Sequence, residues 1–301
     1  MLHEPMSPEP ATDDTRAHCE TGQNAAEAQL GFSLVRHRFG SDRTDLECWV
    51  AAPKNGIVTG APIVAVHGIT RDAREQAKLL APACCAAGRA VIAPHFRKRP
   101  WPSYQRLVAG QRADLALIKL LTAPALAAFG LSADLRFHLF GYSGGAQFAH
   151  RFALLYPGRA RSLTIASAGW YTFFDDEPFP YGLGEQTNRN SADWGGRMRD
   201  NLPAFLTIPT LVAIGGRDCV VDKNTRSGPR IDRQQGRSRI ARARNWSRAM
   251  AVASRAAGVE ANVRFEVLTG CGHSFGECVR AGGLDHLVAE AANAAESGAE
   301  A

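Results

Sequence analysis

Short apolar runs closed by glycine or proline alternate along this chain with longer stretches of helical period. Phe32 to Phe39 and Leu46 to Ala51 read as two short strands, and Gly40-Ser41-Asp42-Arg43 between them predicts a hairpin. Ile63-Val64-Ala65-Val66 is a continuous apolar run, the pattern of a strand buried on both faces. Asp72 followed by Glu75 predicts a capped helix start, and an Ala- and Leu-rich helix extends from there to Gly88. Ala90 to Ala93 is the next strand, stopped by Pro94. Leu107 to Leu121 predicts a long helix with Leu115, Ile118 and Leu121 on one face.

The alternation continues to the end of the chain. Leu135 to Phe140 predicts a strand and Gly145 to Tyr156 a helix built from small residues. Ser162 to Ala166, Thr210 to Ile214 and Val263 to Leu268 predict three further strands. A helix carrying Ala243, Trp246, Met250 and Ala253 at three-to-four spacing precedes the last of them, and Leu284 to Ala295 closes the domain. Such alternation predicts one mostly parallel sheet with helices on both faces, entered through an antiparallel hairpin. The fold class is therefore α/β in three layers, over residues 31–298. The exception is the stretch from Trp170 to Ile208, which is irregular, rich in proline and carries eight aromatic residues. A segment that long in a compact domain predicts a lid or cap, with Trp170 and Phe173 as suspected substrate-binding residues.

Composition adds limits. The 301 residues are 45% hydrophobic and 21% charged, ordinary values for a soluble globular protein with a sizeable core. No run of about 18 apolar residues predicts a membrane span. The start of the chain lacks the basic-then-apolar layout of a signal peptide, so residues 1–30 are expected to be a disordered leader and the protein cytoplasmic. Seven scattered cysteines show no C-x-x-C pair; Cys84 and Cys85 fall in a helical pattern, as small apolar residues do. Cys271, His273 and Cys278 lack a fourth metal ligand, so no metal is expected.

The net charge of +6 is unevenly spread, with eight arginines from Arg226 to Arg248 and a cluster at Arg97-Lys98-Arg99. Asp222 and Asp232 interrupt the longer basic run and no nucleic-acid motif accompanies it, so a solvated, partly ion-paired face is expected rather than a nucleic-acid partner. The same clusters raise the expectation of an entrance that attracts carboxylate- or phosphate-bearing substrates.

The candidate chemistry lies at predicted strand ends. Gly141-Tyr142-Ser143-Gly144-Gly145 is a G-x-S-x-G pattern, in which a sharp strand-to-helix turn projects the serine hydroxyl. Asp218 follows a strand in Gly215-Gly216-Arg217-Asp218, with Asp222 as a rival four residues on. His273 follows the last strand in Gly272-His273. The chain order Ser, Asp, His suits a nucleophile, an orienting carboxylate and a general base. His67-Gly68-Ile69 ends an earlier strand, where the N–H of Ile69 could join that of Gly144 as an oxyanion hole, with His67 orienting the turn. His95 falls either at the pocket rim or on the surface.

These motifs resemble those of the α/β-hydrolase superfamily over roughly Phe32 to Ala295, and weakly its poly(3-hydroxybutyrate) depolymerase-like and small-esterase branch. The resemblance implies a three-layer α/β-hydrolase fold and cofactor-free hydrolysis of a small-molecule or polymeric ester through a serine-bound acyl intermediate. It also implies that substrate choice resides in the cap insertion, here about residues 170–208. Acyl transfer or amide and peptide hydrolysis on the same triad, and a non-catalytic ligand-binding role, stay open beside it. Oligomeric state is not readable.

Overall fold

Phe32–Arg38 (β1) and Glu47–Pro53 (β2) pair antiparallel, with Phe32 opposite Pro53 and Arg38 opposite Glu47. Ile63–Val66 (β3), Ala73–Ala86 (α1), Val91–His95 (β4), Ala113–Leu121 (α2), Phe137–Tyr142 (β5) and Gly144–Leu155 (α3) follow. Then come Ala160–Ala166 (β6), Trp194–Asp200 (α4), Leu202–Leu206 (α5), Thr210–Gly215 (β7), Pro229–Gln235 (α6) and Arg239–Ala256 (α7). Val263–Leu268 (β8), Phe275–Arg280 (α8) and Leu284–Ser297 (α9) end the chain. The structure, a computed structural model, describes residues 31–298 apart from 41, 43, 109–110, 186–191 and 223–224. The expected leader over residues 1–30 lies outside the described residues.

The strands form one sheet in the order β1-β2-β4-β3-β5-β6-β7-β8. β2 also runs antiparallel to β4, and the pairs from β4 onwards are parallel. The period of two divides each central strand between the two faces. Val64 and Val66 enter one apolar cluster with α2, α3 and α7, whereas Ile63 and Ala65 enter the other with α1 and α9. Three layers result, as the alternation predicts. Cys84 and Cys85 are buried in the second cluster, and burial pushes both thiols up, so they stay protonated. Among the described residues no helix is long and apolar enough to cross a membrane.

Two expectations change. The helix expected from Leu107 begins only at Ala113, because Leu107 itself has a φ of +63°, a conformation no right-handed helix contains. The described part of the 170–208 segment is packed, not suspended as a lid. Tyr171 stacks on Trp246 of α7 with ring centroids 5.2 Å apart, and Phe174 lies 5.5 Å from the same ring. Trp170 is 7% exposed, its ring covered by the Arg151 guanidinium at 4.0 Å, and Phe173 is 6% exposed in the core. The reason is energetic. Burying an aromatic side chain removes about 150–250 Å² from water, worth roughly 4–6 kcal/mol, which outweighs waiting at a solvent-facing rim.

Candidate active site

The turn after β5 is forced by close backbone approach. A Cβ on Gly141 would stand 2.3 Å from the Gly145 carbonyl oxygen, and one on Gly145 would stand 1.9 Å from the Val66 carbonyl oxygen. Neither position admits a side chain, so α3 begins almost in contact with β3. Ser143, between strand and helix, is held at φ +52° and ψ −110°, its N–H donating to the Ala166 carbonyl at 2.8 Å. Strain of about 1–3 kcal/mol is usual for such a conformation. It aims the hydroxyl out of the sheet at the carboxyl ends of the parallel strands.

Asp218 and His273 arrive from two neighbouring loops that are bonded to each other. Arg217 N–H donates to the Cys271 carbonyl at 2.8 Å, and Gly216 N–H donates to the Leu268 carbonyl at 2.9 Å. Glu277 accepts the Gly272 N–H at 2.9 Å and fixes the loop from the α8 side. Held this way, Asp218 Oδ2 accepts from His273 Nδ1 at 2.7 Å, and His273 Nε2 lies 3.1 Å from Ser143 Oγ. Asp222, the rival carboxylate, is directed instead at Arg239 Nη2, 2.8 Å away. The three residues expected to meet do meet.

The His67 turn is equally defined. His67 Nε2 accepts the Phe96 N–H at 3.0 Å, so the proton sits on Nδ1, which donates to the Gly68 carbonyl at 2.8 Å. Tyr104 donates its hydroxyl to the His67 carbonyl at 2.6 Å. His67 thus ties the Gly68 carbonyl to the Phe96 main chain. A Cβ on Gly144 would lie 3.4 Å from Ile69 N, so the two main-chain segments expected to supply oxyanion donors lie side by side. Tyr142 fills the floor, its ring centroid 5.8 Å from that of His273.

No family model and no curated protein matches the chain. Solved structures do. Poly(aspartic acid) hydrolase-1 from Sphingomonas sp. KT-1 is 22% identical over 86% of this chain and 99% of its own, with a TM-score of 0.69. LpqC, a poly(3-hydroxybutyrate) depolymerase from Bordetella parapertussis, is 25% identical over 83% of this chain and 87% of its own, with a TM-score of 0.63. The fluorophosphonate-binding serine hydrolase FphF of Staphylococcus aureus is 13% identical over 88% of this chain and 100% of its own, with a TM-score of 0.57. The chain shares the α/β-hydrolase fold with these structures.

The space above Ser143 is a cleft of roughly 380 Å³. Ile69, Tyr142, Gln147, Arg239, His273 and Phe275 are among its walls; Trp170 and Phe173 are not, being buried in the core. His95 also stands apart, paired with Glu47 at 3.0 Å. Cys271 and Cys278 turn their sulfurs towards main-chain carbonyls, and both His273 nitrogens face Asp218 and Ser143.

The expected anionic attraction fails on charge placement. The cationic group lining the cleft, Arg239, is 2% exposed and ion-paired with Asp218 and Asp222, while Asp72 and Glu75 stand at the mouth. Six of the eight arginines from Arg226 to Arg248 are exposed and Arg230 is ion-paired with Glu177, as expected, with two exceptions to the exposure. Arg239 and Arg242 are buried, and Arg242 donates to the Gly169 carbonyl at 2.7 Å and to Asp232 at 2.9 Å. Arg239 was legible in principle: the stripe Trp246 and Ala243 continues backwards through Arg242 and Arg239 at helical spacing.

Buried neutral histidines make the fold acid-sensitive. Burial lowers His67 to about 3 and His138 to about 4, and drives His150 well below its ordinary value. Each binds its proton in the unfolded chain near pH 6.5 but not in the folded one. Stability is therefore complete above pH 6.5 and is lost as pH falls from there towards 4. His67 and His138 together are expected to remove up to about 3 kcal/mol between pH 7.5 and 5.5. A urea midpoint that stays constant over that range would refute this.

Proposed function

We propose that this protein is a serine hydrolase that cleaves carboxylic esters, with Ser143 as nucleophile, His273 as general base and Asp218 as its orienting carboxylate. The observation that carries the reading is the unbroken hydrogen-bond path from Asp218 Oδ2 through His273 to Ser143 Oγ, at 2.7 and 3.1 Å. Asp218 holds the His273 proton on Nδ1 and leaves Nε2 able to accept the serine proton as Ser143 Oγ attacks the acyl carbon. The negative charge that develops on the carbonyl oxygen would be met by the N–H groups of Ile69 and Gly144. His273 then returns the proton to the leaving alcohol, and water, activated by the same imidazole, releases the acyl group.

The fold neighbours support the hydrolytic class through their names, which include a depolymerase and a serine hydrolase. The polymer named for LpqC makes polymeric esters a reasonable substrate class beside small ones. Acyl transfer and amide cleavage would use the same residues, and a screen of products with water and alcohol acceptors separates them; exclusive alcoholysis would replace hydrolase by transferase. The reading itself is tested with a fluorophosphonate probe and peptide mass spectrometry. An adduct on Ser143 is expected. No adduct there would favour a non-catalytic binding role and overturn the proposal.

A further inference from the structure

The turn that carries Ile69 is closed by a residue whose backbone runs against its type. Arg71 N–H donates to the Gly68 carbonyl at 3.0 Å, and Arg71 itself sits at φ +65°, where glycine would be unstrained. The Gly68 carbonyl also accepts from His67 Nδ1 at 2.8 Å. A trans peptide points its N–H away from its carbonyl, so these two donors fix the direction of the Ile69 N–H. Among the described residues no acceptor takes that N–H. Whatever keeps Arg71 in place therefore sets where the proposed oxyanion donor points.

The side chain of Arg71 does this. Its guanidinium is no wall of the cleft and reaches instead to the loop after β4. Nη1 donates to the Phe96 carbonyl at 2.5 Å and to the Trp101 carbonyl at 3.0 Å, and Nη2 donates to the Pro102 carbonyl at 3.1 Å. The cation also covers the Tyr104 ring, 4.9 Å from its centroid. That loop is itself tied down: the Trp101 N–H donates to the Arg97 carbonyl at 3.0 Å, and Phe96 stacks on Tyr104 with centroids 5.1 Å apart. Among the described residues no carboxylate pairs with Arg71, so its donors serve these three carbonyls. A planar guanidinium holds several oxygens in fixed directions, which the point charge of a lysine does not.

We propose that Arg71 is a positioning residue, pinning the turn that carries the Ile69 N–H against the 96–102 loop so that this donor is held ready for the oxyanion. The inference rests on the Ser143 hydrolase reading. It is tested on the full-length protein with Arg71→Met, which removes the donors, Arg71→Gly, which also relieves the backbone strain, and Arg71→Lys. Outright loss of an oxyanion donor lowers kcat by about 100- to 1,000-fold. A loosened turn is expected to lower kcat for a p-nitrophenyl ester by about 10- to 100-fold in the Met and Gly variants, with KM within about threefold. Arg71→Lys is expected to fall between these variants and the wild type. Phenylboronic acid forms a tetrahedral serine adduct with an oxygen in the oxyanion position, so its inhibition constant should rise in step with the fall in kcat. A merely structural role would lower Tm and leave kcat and boronate affinity unchanged. Wild-type kcat in folded Arg71→Gly, a loss confined to KM, an unchanged boronate affinity, or failure of all three variants to fold would overturn the proposal. A wild-type protein that neither hydrolyses the ester nor takes a fluorophosphonate adduct on Ser143 would mark failure of the hydrolase reading itself.

Discussion

Ser143→Ala is expected to lower kcat for a short p-nitrophenyl ester by about 10⁶-fold, the cost of deleting the nucleophile of a serine triad. The proposed chemistry leaves no substitute. Water would have to enter the position of Oγ and find His273 correctly placed, and the remaining N–H groups could supply only about 10³- to 10⁴-fold over the uncatalysed reaction. The fold should not notice the change. Alanine keeps the Cβ that the elbow accommodates, and the lost hydroxyl bonds His273 at the edge of the cleft rather than a core group. The strained φ of +52° is equally hard for serine and alanine, so it cancels between them. The variant is therefore expected to keep its Tm within a few degrees, lose ester hydrolysis and take no fluorophosphonate adduct. Retained activity with an intact fold would remove Ser143 from the mechanism.

The elbow was legible because backbone packing dictates it. Gly141 and Gly145 have carbonyl oxygens where side chains would be, and no other residue fits either place. The continuous apolar runs such as Ile63 to Val66 announced a sheet covered on both faces for a similarly local reason: each alternate residue enters a different cluster. Asp72 capping the Glu75 N–H at 2.8 Å is another signal contained within four residues. Where the information is local, the chain could be read.

Long-range packing could not be read in this way. The aromatic residues after β6 suggest a lid by composition, and only the arrival of Trp246 from α7 makes them core. The arginines from Arg226 to Arg248 suggest a solvated face and six of them form one, but the carboxylates of Asp218, Asp222 and Asp232 make Arg239 and Arg242 buried ion-pair partners. Leu107 carries a helical pattern but turns through positive φ, with the Ala113 N–H donating to its carbonyl. In each case tertiary contacts overrode a local preference.

Arg239 sharpens what replacing Asp218, the proposed orienting carboxylate, should do. Asp218 divides its two oxygens, Oδ2 accepting from His273 Nδ1 at 2.7 Å and Oδ1 accepting from Arg239 Nη1 at 3.2 Å. In Asp218→Asn one oxygen becomes an NH₂ group. The guanidinium can only donate, so the amide oxygen must face Arg239 and the NH₂ must face His273. The imidazole then accepts at Nδ1 and carries its proton on Nε2, pointing at Ser143 Oγ, where it cannot act as a base. Activity is expected to fall by about 10⁴-fold, the cost of the wrong tautomer. Removing the arginine as well should free the amide to rotate and return its oxygen to His273. Asp218→Asn/Arg239→Met is therefore expected to hydrolyse the ester faster than Asp218→Asn alone, an inversion that simple loss of two useful groups would not produce. The comparison is made on folded protein, with Tm recorded for both, because separating the buried pair also leaves a charge unpaired and costs stability. Asp218→Asn activity within tenfold of wild type would show that His273 is oriented by something other than Asp218.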